Sequence, residues 1–135
     1  MLFRPVLKEK ELYADFRKDF EQNPINDDLS RITNERAVED SMRNLIMTDP
    51  GERLMQPYIG CGVRKMLFDL ITPDALLRIR DMVTLTIESY EPRVILQSVN
   101  VTASLDSNYV VITIHYTMIN TEEAKTFTVT LERVR

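Results

Sequence analysis

The stretch Ser89-Tyr90-Glu91-Pro92-Arg93-Val94 (SYEPRV, residues 89–94) is where one hydrophobic period ends and another begins. A residue that precedes proline is pushed out of the right-handed helical region, so Glu91 is expected to close the helix before it. Pro92 has a fixed φ and no amide hydrogen, which suits the first turn out of a helix and the entry to a strand, and Arg93 then leads into a β-branched run. On an extended segment residues two apart share a side, so Glu91 and Arg93 are expected to face the same way, in phase with the apolar face of the next strand. Charges at that border need neighbours of opposite sign.

Upstream of the switch the period is helical. Thr72 followed by Pro73 is an N-cap with proline at the first helical position, after which Leu76, Ile79, Val83, Ile87 and Tyr90 recur at intervals of three and four. An earlier helix is predicted from Asn34, a good N-cap residue, to about Thr48, with Val38, Met42, Leu45 and Ile46 on one face. The sequence TDPGER (48–53) then has turn chemistry, because Asp-Pro opposes further helix and Gly51 tolerates a positive φ. Between the helices, Gly60 and Gly62 flank Cys61, and the apolar run MLFDLI is expected to form a short helix. The charged first 27 residues, with aromatic side chains at Tyr13, Phe16 and Phe20, are read as an arm or a loose helix, and residues 28–135 as one domain.

Downstream the period becomes two. Ile95, Val99, Val101, Ala103 and Leu105 are expected inward and Ser98, Asn100 and Thr102 outward. The residues DSN (106–108) make a tight turn, and Val110, Ile112, Ile114, Tyr116 and Met118 then alternate inward. His115 falls among the outward positions, as an ordinary surface histidine. After a loop around NTEEAK, Phe127, Val129 and Leu131 face one way on a last strand. The expected fold class is α+β, with N-terminal helices packed on a C-terminal antiparallel β-meander of three or more strands. That last strand, TFTVTLERV, has no Pro or Gly and few charges, so little in it blocks another chain from pairing along its edge.

The 135 residues carry a net charge of −4, which gives no electrostatic footprint for nucleic acid or an anionic membrane. One Cys and one His do not make a zinc site of the usual four ligands, and no disulfide framework is possible within the chain, which fits a reducing compartment. The start, MLFRPVLKEKEL, lacks the apolar core of a secretory signal, so the protein is expected to stay where it is made. Cys61 between its glycines reads as a small buried hydrophobe more readily than as a reactive thiol.

Several blocks, in order, are similar to a known family: VEDSMRNLIMTDPGER (38–53), the Pro57-x-x-Gly60-Cys61 block, MLFD (66–69) and YEPRV (90–94), with a meander after them. The chain resembles the lysozyme-like baseplate wedge proteins, or sheath initiators, of contractile phage tails, which are related to a component of type VI secretion baseplates. Tyr90 stands where many relatives have Trp, and Met55 and Ile59 where Phe is common. The resemblance implies a structural protein without cofactor or metal, held in a sixfold tail baseplate of the virion and assembled in the host cytoplasm. It implies that Glu91, Pro92 and Arg93 dock on the core-bundle proteins of the wedge. It also implies that the last strand (Thr126, Phe127, Thr128, Val129, Thr130, Leu131) is a template on which tail sheath subunits add strands.

Each implied role competes with a plainer one. On the residues alone, Glu91 with Arg93 is more often an internal ion pair that closes the corner. Thr48, Pro50, Gly51, Glu52 and Arg53 are a possible contact loop or simply a helix stop with solvated charges. A lysozyme-like glycoside hydrolase acting on peptidoglycan is the rival from another class, with Glu52 and Glu91 as candidate carboxylates, but twenty-one acidic residues guarantee that some pair lies at a suitable separation. A soluble bacterial adaptor is a third reading, told apart by what the protein co-purifies with.

Overall fold

The computed structural model describes residues 13–16, 20–22, 24, 25, 27, 31–104, 106, 108–119, 121 and 123–133. Along the chain lie β1 (Ala14–Phe16), β2 (Arg31–Thr33), α1 (Asn34–Met47), α2 (Val63–Leu67), α3 (Pro73–Tyr90), β3 (Val94–Ser104), β4 (Tyr109–Met118) and β5 (Ala124–Glu132). They divide into two compact units, Met1–Val38 and Glu39–Arg135.

In the first unit, β1 and β2 pair antiparallel, Ala14 opposite Thr33 and Phe16 opposite Arg31. β1 covers residues 14–16 of the segment read as an arm or a loose helix, and residues 1–12, 17–19, 23 and 26 of that segment lie outside the described residues. The strand is completed by the backbone of residues 31–33, which pairs with it from farther along the chain. Asn34 opens α1 at a left-handed φ of 51°, its backbone N–H donating to Tyr13 O at 2.8 Å and its Oδ1 accepting from Tyr13 N. Asparagine tolerates that region better than most residues.

The second unit carries the meander, in order β3-β4-β5 and antiparallel throughout. Its helices begin and end where local chemistry dictates. Thr72 accepts the Ala75 N–H on its hydroxyl at 3.2 Å, Pro73 takes the first helical position, and Glu91 caps the far end with its N–H on Ile87 O. α2 is shorter and earlier than the apolar run MLFDLI had suggested. It starts at Val63, after Gly62 in a left-handed turn, and stops at the Phe68 cap, so Phe68 and Leu70 stand exposed.

One face of the sheet is buried. Val110, Ile112, Ile114, Tyr116 and Met118 from β4, Phe127, Val129 and Leu131 from β5, Ile79, Val83 and Ile87 of α3, and Met42, Leu45 and Ile46 of α1 are all buried and make up the core. The opposite face is threonine-rich and wetter; His115 lies there, 3.0 Å from the Thr126 hydroxyl.

β3 departs from the expected phase. Leu96 lies opposite Tyr116 and Ser98 opposite His115, so Gln97 is an extra residue and the strand bulges there. Before the bulge Val94 and Leu96 join the core side, and Ile95, expected inward, is 56% exposed. After it Val99, Val101 and Ala103 face the core side as expected, while Leu105 lies outside the described residues.

Candidate functional site

Three places in the second unit hold the residues singled out in the sequence: the corner between α3 and β3, the turn at residues 48–53, and the outer margin of β5. At the corner the extended geometry expected for residues 91–93 is replaced by a turn, with the Val94 N–H directed at Glu91 O at 3.4 Å. The turn folds Arg93 back over Glu91. Arg93 Nε donates to Glu91 Oε1 at 2.6 Å and Nη2 to Oε2 at 2.8 Å, a bidentate fork on one carboxylate.

Glu91 is 2% exposed, and the Arg93 side chain 27%. Burial alone would raise the Glu91 carboxyl, but the hydrogen bonds from Arg93 and from Ser41 of α1, together with the Arg93 charge, hold it below the ordinary glutamate range. The opposite charges that the sequence required are thus each other. The plainer expectation, an internal pair that closes the corner, is what the geometry displays, and Glu91 reaches no surface on which a partner could touch it directly. Arg93 and the exposed Pro92 are the members of the triplet that present surface.

The possible contact loop is a braced structure. Thr48 Oγ1 donates to Asn44 O at 2.6 Å, ending α1, and the Asp49 N–H donates to Glu52 Oε2 at 2.9 Å. Gly51 turns at φ 89° with open space where a side chain would be, whereas a Cβ on Gly60 would lie 2.6 Å from Thr48 O and 2.8 Å from Pro50 N. The glycine block, with the Cys61 N–H on Thr48 O at 2.9 Å, thus lies directly against the backbone of the turn. Pro50, Gly51, Glu52 and Arg53 are exposed. Sequence reasoning missed the next two residues, Leu54 and Met55, which are almost fully exposed, at 96% and 94%. Their exposure comes from tertiary context, because nothing in LMQPY marks it as surface. The Tyr90 hydroxyl donates to Tyr58 O at 3.3 Å, fastening this loop beside the Glu91 corner. Cys61 is buried, its thiol pushed up by that burial against weaker opposing hydrogen bonds from Thr86 and the Val63 backbone.

At the other margin, β5 pairs with β4 on one side, and among the described residues no strand pairs with its outer side. The register fixes which groups are free. The Arg133 N–H bonds Asn108 O directly opposite, so that pair is of the hydrogen-bonded kind, and by alternation Leu131, Val129 and Phe127 also bond β4. The N–H and C=O groups of Thr126, Thr128 and Thr130 therefore point outward. Of the six edge residues expected to meet a partner, these three offer backbone, while Phe127, Val129 and Leu131 bury their side chains in the core.

Residues 33–123 match the family model described as baseplate wedge protein gp25. The chain is 28% identical over 109 residues to the baseplate wedge protein gp25 of Enterobacteria phage T4, covering 81% of this chain and 82% of that protein. Among solved structures it resembles a Geobacter sulfurreducens protein provisionally described as a tail lysozyme, with a TM-score of 0.70 and 25% identity over 77% of this chain and 96% of the other. A chain of the type VI secretion baseplate complex has the same fold, with a TM-score of 0.64 at 13% identity over 74% of this chain and 93% of the other. A chain of the anti-feeding prophage baseplate does too, at 0.62 and 22% over 91% and 87%.

Proposed function

The chain belongs to the baseplate wedge protein gp25 family and is a wedge component of a contractile-tail or phage-like baseplate; we propose that within it the α3–β3 corner docks on the wedge core bundle while β5 starts the tail sheath by accepting added strands. The observation that carries the second role is the row of outward amides and carbonyls at Thr126, Thr128 and Thr130 on a margin no described strand covers. Such a row templates a further strand, main-chain hydrogen bonds giving affinity and alternating side chains giving register. The first role rests on Pro92 and Arg93, which are set at the corner by the buried carboxylate and stand beside the exposed Leu54–Tyr58 loop. In a sixfold baseplate each copy would hold one wedge and offer one edge.

The geometry opposes the hydrolase reading. A glycosidase acid needs a raised pKa and access to sugar, whereas Glu91 is buried, lowered and forked by Arg93, and Glu52 is tied to the Asp49 N–H. The protein is accordingly proposed to act without catalysis or cofactor.

Proline at Thr128 tests the strand role, because it removes an outward N–H without breaking the β4–β5 ladder. The Thr128→Pro variant is expected to remain folded and to bind wedge proteins, yet to fail to start sheath assembly with the tail sheath subunit of the same particle. Thr128→Ala should behave as the native chain. Normal sheath polymerisation from a folded Thr128→Pro variant would refute the assignment, and recovery of the native chain only as a monomer bound to a bacterial regulator would favour the adaptor reading.

A further inference from the structure

The outer margin of β5, which no described strand covers, is not uniform. At its C-terminal end lies a cleft of about 370 Å³, lined by Met47 at the end of α1, Arg64, Leu67 and Phe68 of the α2 region, and the strand from Thr130 to Arg133. Successive strand residues point to opposite faces, so Thr130 and Leu131 can line one concavity only where it wraps the strand's margin. β4 occupies one margin along this stretch, and the cleft therefore opens on the free one. Its volume is near the lower limit of about 300 Å³ for small-molecule sites, but a strand margin with unfilled backbone groups calls for an extended chain.

The chemistry of the lining narrows what that chain carries. Met47, Leu67, Leu131 and the exposed ring of Phe68 make an apolar floor and wall. Two arginines belong to its lining, Arg64 exposed and Arg133 held by its Nη2 on Phe68 O at 3.2 Å. Among the described residues no carboxylate pairs with either. In a chain of net charge −4, two cations with no carboxylate partner among the described residues, beside an apolar cleft with Glu132 as the acidic group of the lining, make a locally positive site.

We propose that the strand added to β5 carries a large apolar side chain that enters this cleft and, two residues away on the same face, a carboxylate held between Arg64 and Arg133. The proposal rests on the strand-addition reading and gives it a register: backbone pairing alone is indifferent to a two-residue slip, and the cleft with its paired cations is not. The incoming segment is then selected by an apolar-x-acidic pattern in place of any β-prone stretch.

Binding of the intact tail sheath subunit of the same particle to the immobilised native chain provides the measurement. Replacing both cations (Arg64→Glu with Arg133→Glu) is expected to weaken binding on the order of tenfold at low salt, since two partly solvated pairs become repulsive. Arg64→Lys with Arg133→Lys should keep most of the affinity, and Phe68→Ala, at an exposed side chain, should lose several-fold. A scan of sheath Asp and Glu residues to Lys should yield one charge reversal that restores binding to the double-Glu variant. Unchanged affinity in the double-Glu variant, with its circular dichroism native, would overturn the proposal. If Thr128→Pro still abolishes binding in that case, strand addition stands and only the cleft is wrong; if Thr128→Pro binds normally, the strand reading itself has failed.

Discussion

Replacing Arg93 by alanine removes the interaction that sets the corner. The side chain it removes is the bidentate partner of a carboxylate that is 2% exposed, so the variant leaves Glu91 buried with, among the described residues, Ser41 and the Arg93 backbone to solvate it. Breaking a buried pair from one side costs about 3–5 kcal/mol. The Arg93 side chain is 27% exposed, and the hydrogen bonds that survive soften the loss, so the lower end, about 3 kcal/mol, is expected. With an unfolding entropy near 2.1 cal/mol/K per residue, roughly 0.28 kcal/mol/K for the whole chain, that corresponds to a fall in Tm of about 10 °C. The pH dependence supplies a sharper check. Glu91 is held below its unfolded value of about 4.3, so its contribution is fully present above that value and is lost as pH falls through the folded one. The native chain and Arg93→Ala should therefore differ most near pH 7 and less as pH falls through the folded Glu91 value, and Glu91→Gln in the Arg93→Ala background should recover part of the loss at neutral pH. Thermal and urea unfolding across a series of acid pH values measure both. A Tm change below about 3 °C at pH 7, or a difference that does not shrink toward acid, would refute the account of the corner. Under the proposed docking role, Arg93→Ala should also weaken wedge binding per folded molecule, measured below both transitions.

Gly60→Ala should destabilise the protein by about 2 kcal/mol or more, because the added Cβ meets Thr48 and Pro50 backbone below 3 Å, whereas Gly51→Ala, facing open space at φ 89°, should cost only about 1 kcal/mol of left-handed strain; paired urea curves decide. Cys61 should resist alkylation by iodoacetamide at pH 8 in the folded protein and react on unfolding, since its thiol is buried and its pKa raised; rapid native labelling would contradict that placement. Ile95→Thr should change stability by less than about 0.5 kcal/mol and Val99→Thr should cost about 1–2 kcal/mol, a difference between two positions that a strand without the bulge at Gln97 would set on one face.

What the sequence made legible was written in local chemistry. Thr72-Pro73 and Glu91-Pro92 bracket α3 through a hydroxyl cap and a missing amide, interactions that involve only neighbours along the chain. The inward rows of β4 and β5 were equally readable, since one buried face imposes strict alternation. What escaped depended on distant partners or on a single inserted residue. Nothing in Ala14-Asp15-Phe16 announces a strand until Arg31-Ile32-Thr33 lies beside it. Gln97 has no side chain peculiar to bulges, yet its insertion moves Ile95 from core to solvent and shifts the phase of the residues before it, Glu91 and Arg93 included. The pair itself was visible as opposite charges two residues apart, but its closure on itself is set by a turn that the spacing alone does not distinguish from an extended segment.

The order β3-β4-β5 gives the two proposed contacts physical independence. Arg93 precedes β3 at one margin of the sheet, and the outward groups of Thr126, Thr128 and Thr130 lie at the other, with β4 between them at the usual strand spacing of about 4.8 Å on either side. β4 buries every second side chain and bonds both neighbours, so it is the part of the sheet least able to change when either margin is engaged. A corner set by its own ion pair needs no rearrangement to meet a wedge, and the β5 edge is already extended before a strand arrives. Both contacts thus begin from ordered backbone, which keeps the entropy lost on binding small. Occupying one margin leaves the other available, which is the geometry required of a piece that holds one assembly while another grows from it.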